Sequence, residues 1–217
     1  MLYNSQIRQD TFVDKLLNKD EGFFLDIGAG TGGLPPQHVG DSSNTYFFER
    51  YRKWTGIAID YDRAWYDAVK DARPDTVYCE DLLEVNINEL LESIGCQENI
   101  DYISLDVDDA QWKVFNEFDW SKYKFKVLTL EHNLYQSTQH CAFTKDYPDR
   151  RKRIADEYKK YREVLTSHGY SILWADVVLN GYGRVEDWWV SEDLYEKYKH
   201  HKEEDIDCNE VINITFE

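Results

Sequence analysis

The segment FFLDIGAGTGG (residues 23–33) joins an apolar strand pattern to residue types that suit ligand binding. Asp26 lies at the end of the apolar run, and Gly28 and Gly30 are the first of the glycines that follow. Glycine has no Cβ and tolerates backbone angles that other residues avoid, so a ligand can approach such a loop closely. A purely structural turn is the alternative, although so many glycines would be costly for a turn alone. The pattern favours a ligand-binding loop at a strand end.

Gly28, Gly30 and Gly33 also satisfy GxGxxG, the fingerprint of dinucleotide-binding folds. That fingerprint places a helix N-terminus at the glycines, where it holds the diphosphate. Here the segment LPP (34–36) delays the helix, because a proline disfavours helical angles in the residue before it. A carboxylate at Asp26 would also repel a diphosphate and attract a cation. The loop is therefore expected to receive an uncharged or cationic ligand.

Strand and helix patterns alternate around this loop. Strand patterns end at Asp26 and recur in GIAID, TVYCE, IDYISLDV, KFKVLTLEHN and YSILWADVVL, with VEDWWV and EVINITF as further candidates. One of the intervening amphipathic helices begins near Asn44, which is predicted to cap it. The alternation predicts an α/β fold, a parallel sheet with helices on both faces, and ligands at the carboxyl ends of its strands. One domain over residues 1–217 is expected, with an N-terminal helix within residues 1–20.

The charge of the chain argues against polyanionic partners. Its 25 basic and 42 acidic residues give a net charge of −17, which disfavours nucleic acid and anionic membrane surfaces. No apolar run approaches the roughly 18 residues of a membrane-spanning helix. The four cysteines are scattered, as suits a reduced compartment. A cytoplasmic protein with a small-molecule partner is predicted, and the oligomeric state is left open.

FLDIGAGTGG followed by SNTYFFERYRKWTGIAID resembles the FkbM-type S-adenosylmethionine-dependent methyltransferases. The late helix at SNTYF is the distinctive feature, and YISLDVDD, FKVLTLEHN and VEDWWV are similar to later segments of that family. The resemblance implies a Rossmann-like, seven-stranded class I methyltransferase sheet. It also implies O-methylation, often of sugars, glycan-like acceptors or other small hydroxylated molecules. Asp108-Asp109 departs from the Glu-Gly that the family commonly has after the fourth strand.

The S-adenosylmethionine implied by this resemblance carries a sulfonium and an ammonium and no phosphate. Asp60, at the end of the second strand, is expected to accept hydrogen bonds from both ribose hydroxyls. Asp81 is expected to accept from the adenine amino group, with a helix cap as the structural alternative. Asp26 is expected to organise loop amides or to face the ammonium. The other predicted cofactor-binding residues are Gly28, Gly30, Asn44, Thr45 and Asp106.

Methyl transfer to a hydroxyl requires an acceptor oxygen held in line with the methyl and a group that assists loss of the hydroxyl proton. Asp106, Glu131 and His132 are the candidate catalytic residues, because they end the fourth and fifth strands. His132 is predicted to be the base, since histidine titrates near neutral pH, although a packed histidine is the structural alternative. Asp106 and Glu131 offer a second route, in which they hold Mg²⁺ or Mn²⁺.

Acceptor recognition is expected from residues 134–147 and 181–217. Tyr135 in the first segment and Trp188 and Trp189 in the second are predicted to stack on a sugar ring. Two core tryptophans are the structural alternative, and the charge run RRKR (150–153) is interpreted as solvated. Two rival functions remain: an NAD(P)-dependent oxidoreductase built on the same glycine loop, and a non-catalytic binding module on the same fold.

Overall fold

The computed structural model describes residues 3–30, 38 and 40–216. The chain divides into two compact units, residues 1–126 and residues 127–216. Gly33 and the LPP segment lie outside the described residues, so the complete GxGxxG pattern and the proline delay stay predictions.

Helices and strands alternate in the first unit. In chain order they are α1 (Gln9–Leu17), β1 (Phe23–Ile27), α2 (Tyr46–Arg52), β2 (Thr55–Asp60), α3 (Arg63–Val69), β3 (Val77–Cys79), α4 (Ile87–Ser93), β4 (Asn99–Leu105) and α5 (Gln111–Glu117). A short 3-10 helix, Asp108–Ala110, precedes α5. Strand β5 (Lys124–Glu131) begins in this unit and continues into the second.

The strands of the first unit lie in the order β3-β2-β1-β4 and pair in parallel. Strand β1 lies between β2 and β4, and each of its residues is buried, as expected for a parallel strand that is covered on both faces. Because parallel strands end at the same edge, this edge carries the polar residues at and beyond the strand ends. They include Gly28, Asp60, Asp81 and Asp106.

The second unit is mainly antiparallel. After β5 it contains a 3-10 helix (Leu134–Ser137), α6 (Pro148–Ser167), β6 (Tyr170–Leu179), β7 (Gly183–Ser191), α7 (Glu192–Tyr198), a 3-10 helix (Lys199–His201), β8 (Glu203–Glu204) and a 3-10 helix (Cys208–Asn213). Strand β7 pairs antiparallel with both β5 and β6, and β8 pairs in parallel with β6. The β6–β7 register shifts around Asp176, which has a left-handed φ of 53°.

The predicted α/β class is confirmed, with eight strands among the described residues instead of seven. The strand predicted in EVINITF is wrong. A 3-10 helix forms over Cys208–Asn213 because the Asp207 carboxylate accepts the N–H of Asn209 at 2.8 Å and so caps a helical turn. The single domain over residues 1–217 stays a prediction. Among the described residues, every helix is too short or too polar to cross a bilayer.

Candidate functional site

Gly28 allows the backbone after β1 to lie directly against the backbone after β4. It has a φ of 91°, and a Cβ at this position would lie 1.5 Å from the carbonyl oxygen of Asp106. Its N–H donates to the carbonyl of Ile59 at 2.9 Å, while the N–H of Asp106 donates to the carbonyl of Ile27 at 2.9 Å. Only glycine combines this backbone angle with this approach, so Gly28 brings the ends of β1 and β4 together.

Gly30 has a comparable relationship to Asp60. The N–H of Gly30 donates to Asp60 Oδ2 at 2.8 Å, and the N–H of Asp62 donates to Asp60 Oδ1 at 2.8 Å. A Cβ on Gly30 would lie 2.6 Å from Asp60 Oδ2. A carboxylate offers about four lone-pair sites, so Asp60 keeps capacity for further donors, such as a pair of hydroxyls.

Asp26 is a fully buried carboxylate in a polar network. The Thr45 hydroxyl donates to Asp26 Oδ2 at 2.8 Å, and Arg73 Nη2 donates to Thr45 Oγ1 at 3.3 Å. Arg73 is itself buried and its Nε donates to Glu49 Oε2 at 2.8 Å. Arg73 is not evident as a site residue from the sequence, because an arginine beside an apolar strand pattern is a weak signal and most such residues are solvated.

Burial is the main reason why the pKa of Asp26 is raised to about 6, and the nearby charge of Asp106 adds to it. The Thr45 hydroxyl, the Arg73 guanidinium and the Ser104 hydroxyl act in the opposite direction. Burial also raises the pKa of Asp60, with added repulsion from Asp62 and Asp108. The carboxyl edge of this sheet therefore has an excess of negative charge that is only partly compensated.

Among the residues that the structure describes, the buried acceptor oxygens Asp26 Oδ1 and Asn44 Oδ1 at this edge have no hydrogen-bond donor. Both residues are neighbours of Ser104. Asp26 faces Ser104 across the β1–β4 register, and Asn44 Nδ2 donates to Ser104 Oγ at 2.9 Å. An unpaired buried acceptor costs about 1–3 kcal/mol, so both oxygens fit a ligand that carries N–H donors.

The start of α2 differs from the prediction. Asn44 does not cap the helix, because its side chain is directed to Ser104. The Ser43 hydroxyl instead accepts the N–H of Tyr46 at 3.0 Å and that of Thr45 at 3.3 Å. Asn44 and Thr45 are thereby turned towards β4 and β1, where their predicted role in cofactor binding stays open.

Asp81 follows β3 and is exposed. Its Oδ1 accepts the N–H of Leu83 at 2.9 Å, which closes a turn before α4, while Asn86 caps α4 itself. The turn leaves the second carboxylate oxygen available, so the predicted adenine contact stays a prediction.

A buried polar cluster joins β5, β6 and β7 of the second unit to α6. His132 Nε2 lies 3.6 Å from Asp176 Oδ1 and 3.6 Å from Asp187 Oδ1. Arg162 binds Asp187 through two hydrogen bonds, of 2.8 Å from Nε and 2.7 Å from Nη2. The Tyr158 hydroxyl donates to Asp176 at 3.0 Å.

Local backbone irregularities position this cluster. The shift in β6 directs Asp176 towards the cluster, as bulges commonly re-aim a side chain.

Burial disfavours the charge of Asp187, yet His132 and Arg162 hold its pKa below its ordinary range. His132, Asp176 and Asp187 are close enough to one another to bind a metal ion. Because the Arg162 guanidinium already occupies both Asp187 oxygens, we assign the cluster as an ion-pair network.

The prediction that His132 is the base is not supported by its environment. Its side chain is only 1% exposed, and Nδ1 accepts the N–H of Leu134 at 3.1 Å. The other ring nitrogen, Nε2, faces the carboxylates of Asp176 and Asp187. A ring held in this way positions the first residues after β5. Its Nε2 has no hydrogen-bond partner among the described residues, but it is buried against two carboxylates, away from solvent and from an acceptor hydroxyl.

Trp188 and Trp189 are both fully buried, contrary to the prediction that they stack on an acceptor. Consecutive residues of a strand point to opposite faces, and both faces of β7 are covered here. Trp188 stacks on Trp174 with centroids 5.2 Å apart, and its Nε1 donates to Glu186 Oε2 at 2.8 Å. Trp188 and Trp189 are therefore part of the core of the second unit.

Tyr135 is half-buried in the segment that follows β5, and this segment is anchored at several points. The buried Thr144 hydroxyl donates to the carbonyl of Gln136. Arg151 Nη1 donates to the carbonyls of Thr144 and Lys145 at 2.8 and 2.6 Å. At least one arginine of the RRKR run therefore fixes the segment and is not merely solvated.

The remaining catalytic predictions concern Asp106 and Glu131. Asp106 lies in the first unit and Glu131 in the second, so their pairing around Mg²⁺ or Mn²⁺ stays a prediction. Glu131 lies opposite Glu186 in the β5–β7 register and is half-buried.

Two solved structures share this fold. A protein described as a caffeoyl-CoA O-methyltransferase of Staphylococcus aureus has a TM-score of 0.54 at 14% identity, over 88% of this chain and 85% of that one. A protein described as an O-methyltransferase of Klebsiella pneumoniae has a TM-score of 0.53 at 12% identity, over 88% and 83%. At such low identity the likeness shows the fold alone. The fold is that of class I methyltransferases.

Residues 80–172 match the family model of the methyltransferase FkbM domain. This match confirms the resemblance to the FkbM-type S-adenosylmethionine-dependent methyltransferases. No curated protein matches the chain in sequence. The matched family model and the shared fold both support an S-adenosylmethionine-dependent methyltransferase.

Proposed function

We propose that the protein transfers the methyl group of S-adenosylmethionine to a hydroxyl of a sugar or glycan-like acceptor. The observation that carries the proposal is the acidic carboxyl edge of the first unit, where burial and neighbouring acids raise the pKa of both Asp26 and Asp60. Asp60 could accept the ribose hydroxyls of either cofactor, whereas the Asp26 carboxylate beside the glycine loop disfavours the diphosphate of a nicotinamide cofactor and favours a ligand with positive charge. That argues against the oxidoreductase alternative.

The residues at this edge fit the donor. Asp26 Oδ1 and Asn44 Oδ1 are buried acceptors with no donor in the described part of the chain, and an ammonium has three N–H donors. Asp60 would accept the ribose hydroxyls and Asp81 the adenine amino group. Gly28, Gly30, Thr45 and Asp106 would complete the binding loop. The bound donor supplies a methyl group that is already activated by its sulfonium.

We assign the base to Glu131 in place of His132. A half-buried carboxylate at a strand end can take the proton of the acceptor hydroxyl while the oxygen forms its bond to the methyl carbon and the carbon–sulfur bond breaks. Asp106 is the second proposed catalytic carboxylate.

A transfer assay tests the proposal. Methyl-labelled donor is incubated with the protein and a panel of monosaccharides and oligosaccharides, with and without EDTA. We expect label in a base-stable product of at least one saccharide, and a loss of at least about 100-fold in Glu131→Gln. Exposed Glu84→Gln is the matched control. Donor binding without transfer to any hydroxyl compound would instead favour the non-catalytic module.

A further inference from the structure

Tyr182 lies at the tip of the β6–β7 hairpin, next to Tyr135, and 56% of its surface is exposed. The rings of Tyr135 and Tyr182 meet edge to face, with centroids 6.1 Å apart. Two features fix the pair. Gln136 Nε2 donates to the Tyr135 hydroxyl at 3.2 Å, and a Cβ on Gly183 would lie 3.1 Å from Tyr135 Cβ.

This aromatic pair lies beside an acid. The charge of Glu131 contributes, after burial, to the raised pKa of Tyr135, and Glu131 faces Glu186 across the β5–β7 register. Phe143 and Tyr147 are 64% and 62% exposed on the same anchored segment. The anchored segment after β5 therefore carries exposed aromatic rings in addition to the half-buried Tyr135.

We propose that Tyr135 and Tyr182 form the surface that recognises the acceptor, and that its ligand is an uncharged pyranose ring. The inference rests on the proposed function and names its specificity-determining residues. A ring with one C–H face and equatorial hydroxyls can stack on a tyrosine face while its hydroxyls donate to a carboxylate. An anionic acceptor would be repelled by Glu131 and by the net charge of −17.

Saturation-transfer NMR on the full chain, loaded with S-adenosylhomocysteine, tests this inference. The probes are the methyl pyranosides of glucose, galactose and mannose, with catechol as a planar aromatic comparison. We expect ring protons of at least one pyranoside to receive saturation from the wild-type protein. In Tyr182→Leu its affinity should fall by about fivefold or more, because the aromatic face is lost.

Two variants separate this role from general damage to the protein. Tyr182→Phe keeps the ring and should bind like the wild type, as should Tyr51→Leu, which alters a tyrosine that is 49% exposed on α2. Pyranoside binding that is absent from the wild type, or unchanged in Tyr182→Leu, overturns the inference. So does a dependence on Tyr182 for catechol alone. Titration of the same samples with S-adenosylhomocysteine keeps the outcomes distinct, because failure of donor binding contradicts the proposed function itself.

Discussion

At the scale of single residues, Asp26 combines a structural cost with a proposed use. The carboxylate is fully buried, its pKa is raised to about 6, and Oδ1 receives no hydrogen bond from any residue that the structure describes. A group that binds a cationic ligand is expected to be unfavourable when the ligand is absent, because its charge is then poorly compensated.

Asp26→Asn should stabilise the ligand-free protein at pH 7. The pKa of Asp26 lies above its ordinary value of 3.8, so its contribution to stability is fully present below pH 3.8 and is lost as the pH rises through about 6. The neutral variant avoids this loss and should gain up to about 3 kcal/mol at pH 7, and little at pH 4. Thermal unfolding at the two pH values measures the difference, with exposed Asp75→Asn as the control.

Asp26→Asn should also bind S-adenosylhomocysteine at least about tenfold more weakly, because a hydrogen bond to a charged acceptor is lost. Calorimetric titration measures this. A variant that is less stable at pH 7 and binds the ligand unchanged would refute the assignment of Asp26.

His132 should prove to be a positioning residue. His132→Ala should lower the free energy of unfolding by about 1–3 kcal/mol, since the N–H of Leu134 loses its buried acceptor. Methyl transfer by the folded variant should fall less than about tenfold, whereas loss of a general base costs about 100-fold or more. Urea unfolding and turnover measure the two effects separately.

His132→Asn serves as the matched variant, because its side-chain oxygen can replace Nδ1 as the acceptor for Leu134. It should recover part of the lost stability. A fully folded His132→Asn protein with turnover reduced by 100-fold would restore histidine as the base.

At the scale of elements, the junction between β1 and β4 depends on one glycine. Gly28→Ala should destabilise the protein severely, because the new Cβ would lie 1.5 Å from a backbone oxygen. Gly95→Ala is the matched control: its φ is also positive, at 71°, but among the described residues no atom other than those of its chain neighbours lies within 4 Å of the new Cβ. The free energy of unfolding of that variant should fall only by the backbone strain of a left-handed alanine, about 1–2 kcal/mol. Equal melting temperatures for the two variants would contradict the close approach seen here.

The elements were largely predictable from the sequence, and their exact contacts were not. Apolar runs such as the one ending at Asp26 determine the strands, since burial depends on local pattern. Ser43 caps α2 in place of Asn44 because the Asn44 side chain donates to Ser104 of β4. A contact between residues so distant in sequence cannot be inferred from sequence spacing. The burial of Trp188 and Trp189 likewise depends on the covering of both faces of β7.

In the candidate site, too, residues with a local sequence signal were predictable and residues that depend on distant contacts were not. Asp60 and the glycines were predicted because strand-end acids and glycines are local signals. Arg73, Arg162 and Tyr182 were missed, because each becomes significant only through residues that are distant in sequence. Arg162 follows Tyr158 by one helical turn and lies next to Tyr161, which is buried. A charged residue beside the buried face of α6 was the signal that could have identified the buried cluster.

At the scale of the whole molecule, the net charge of −17 does not indicate where on the protein a ligand binds. The structure shows that some of this charge is concentrated at the carboxyl edge of the first unit, where it is buried and only partly compensated. Composition predicts the sign of the preferred ligand, whereas burial of Asp26 and Asp60 indicates where that ligand should bind.

The central claim is that this edge binds a cationic nucleoside donor. Parallel calorimetric titrations of the wild-type protein and Asp60→Ala with S-adenosylhomocysteine and with NADH test it most directly. We predict stoichiometric binding of S-adenosylhomocysteine to the wild type, at least about tenfold weaker binding to Asp60→Ala, and no binding of NADH. Binding of NADH without any binding of S-adenosylhomocysteine would contradict the account.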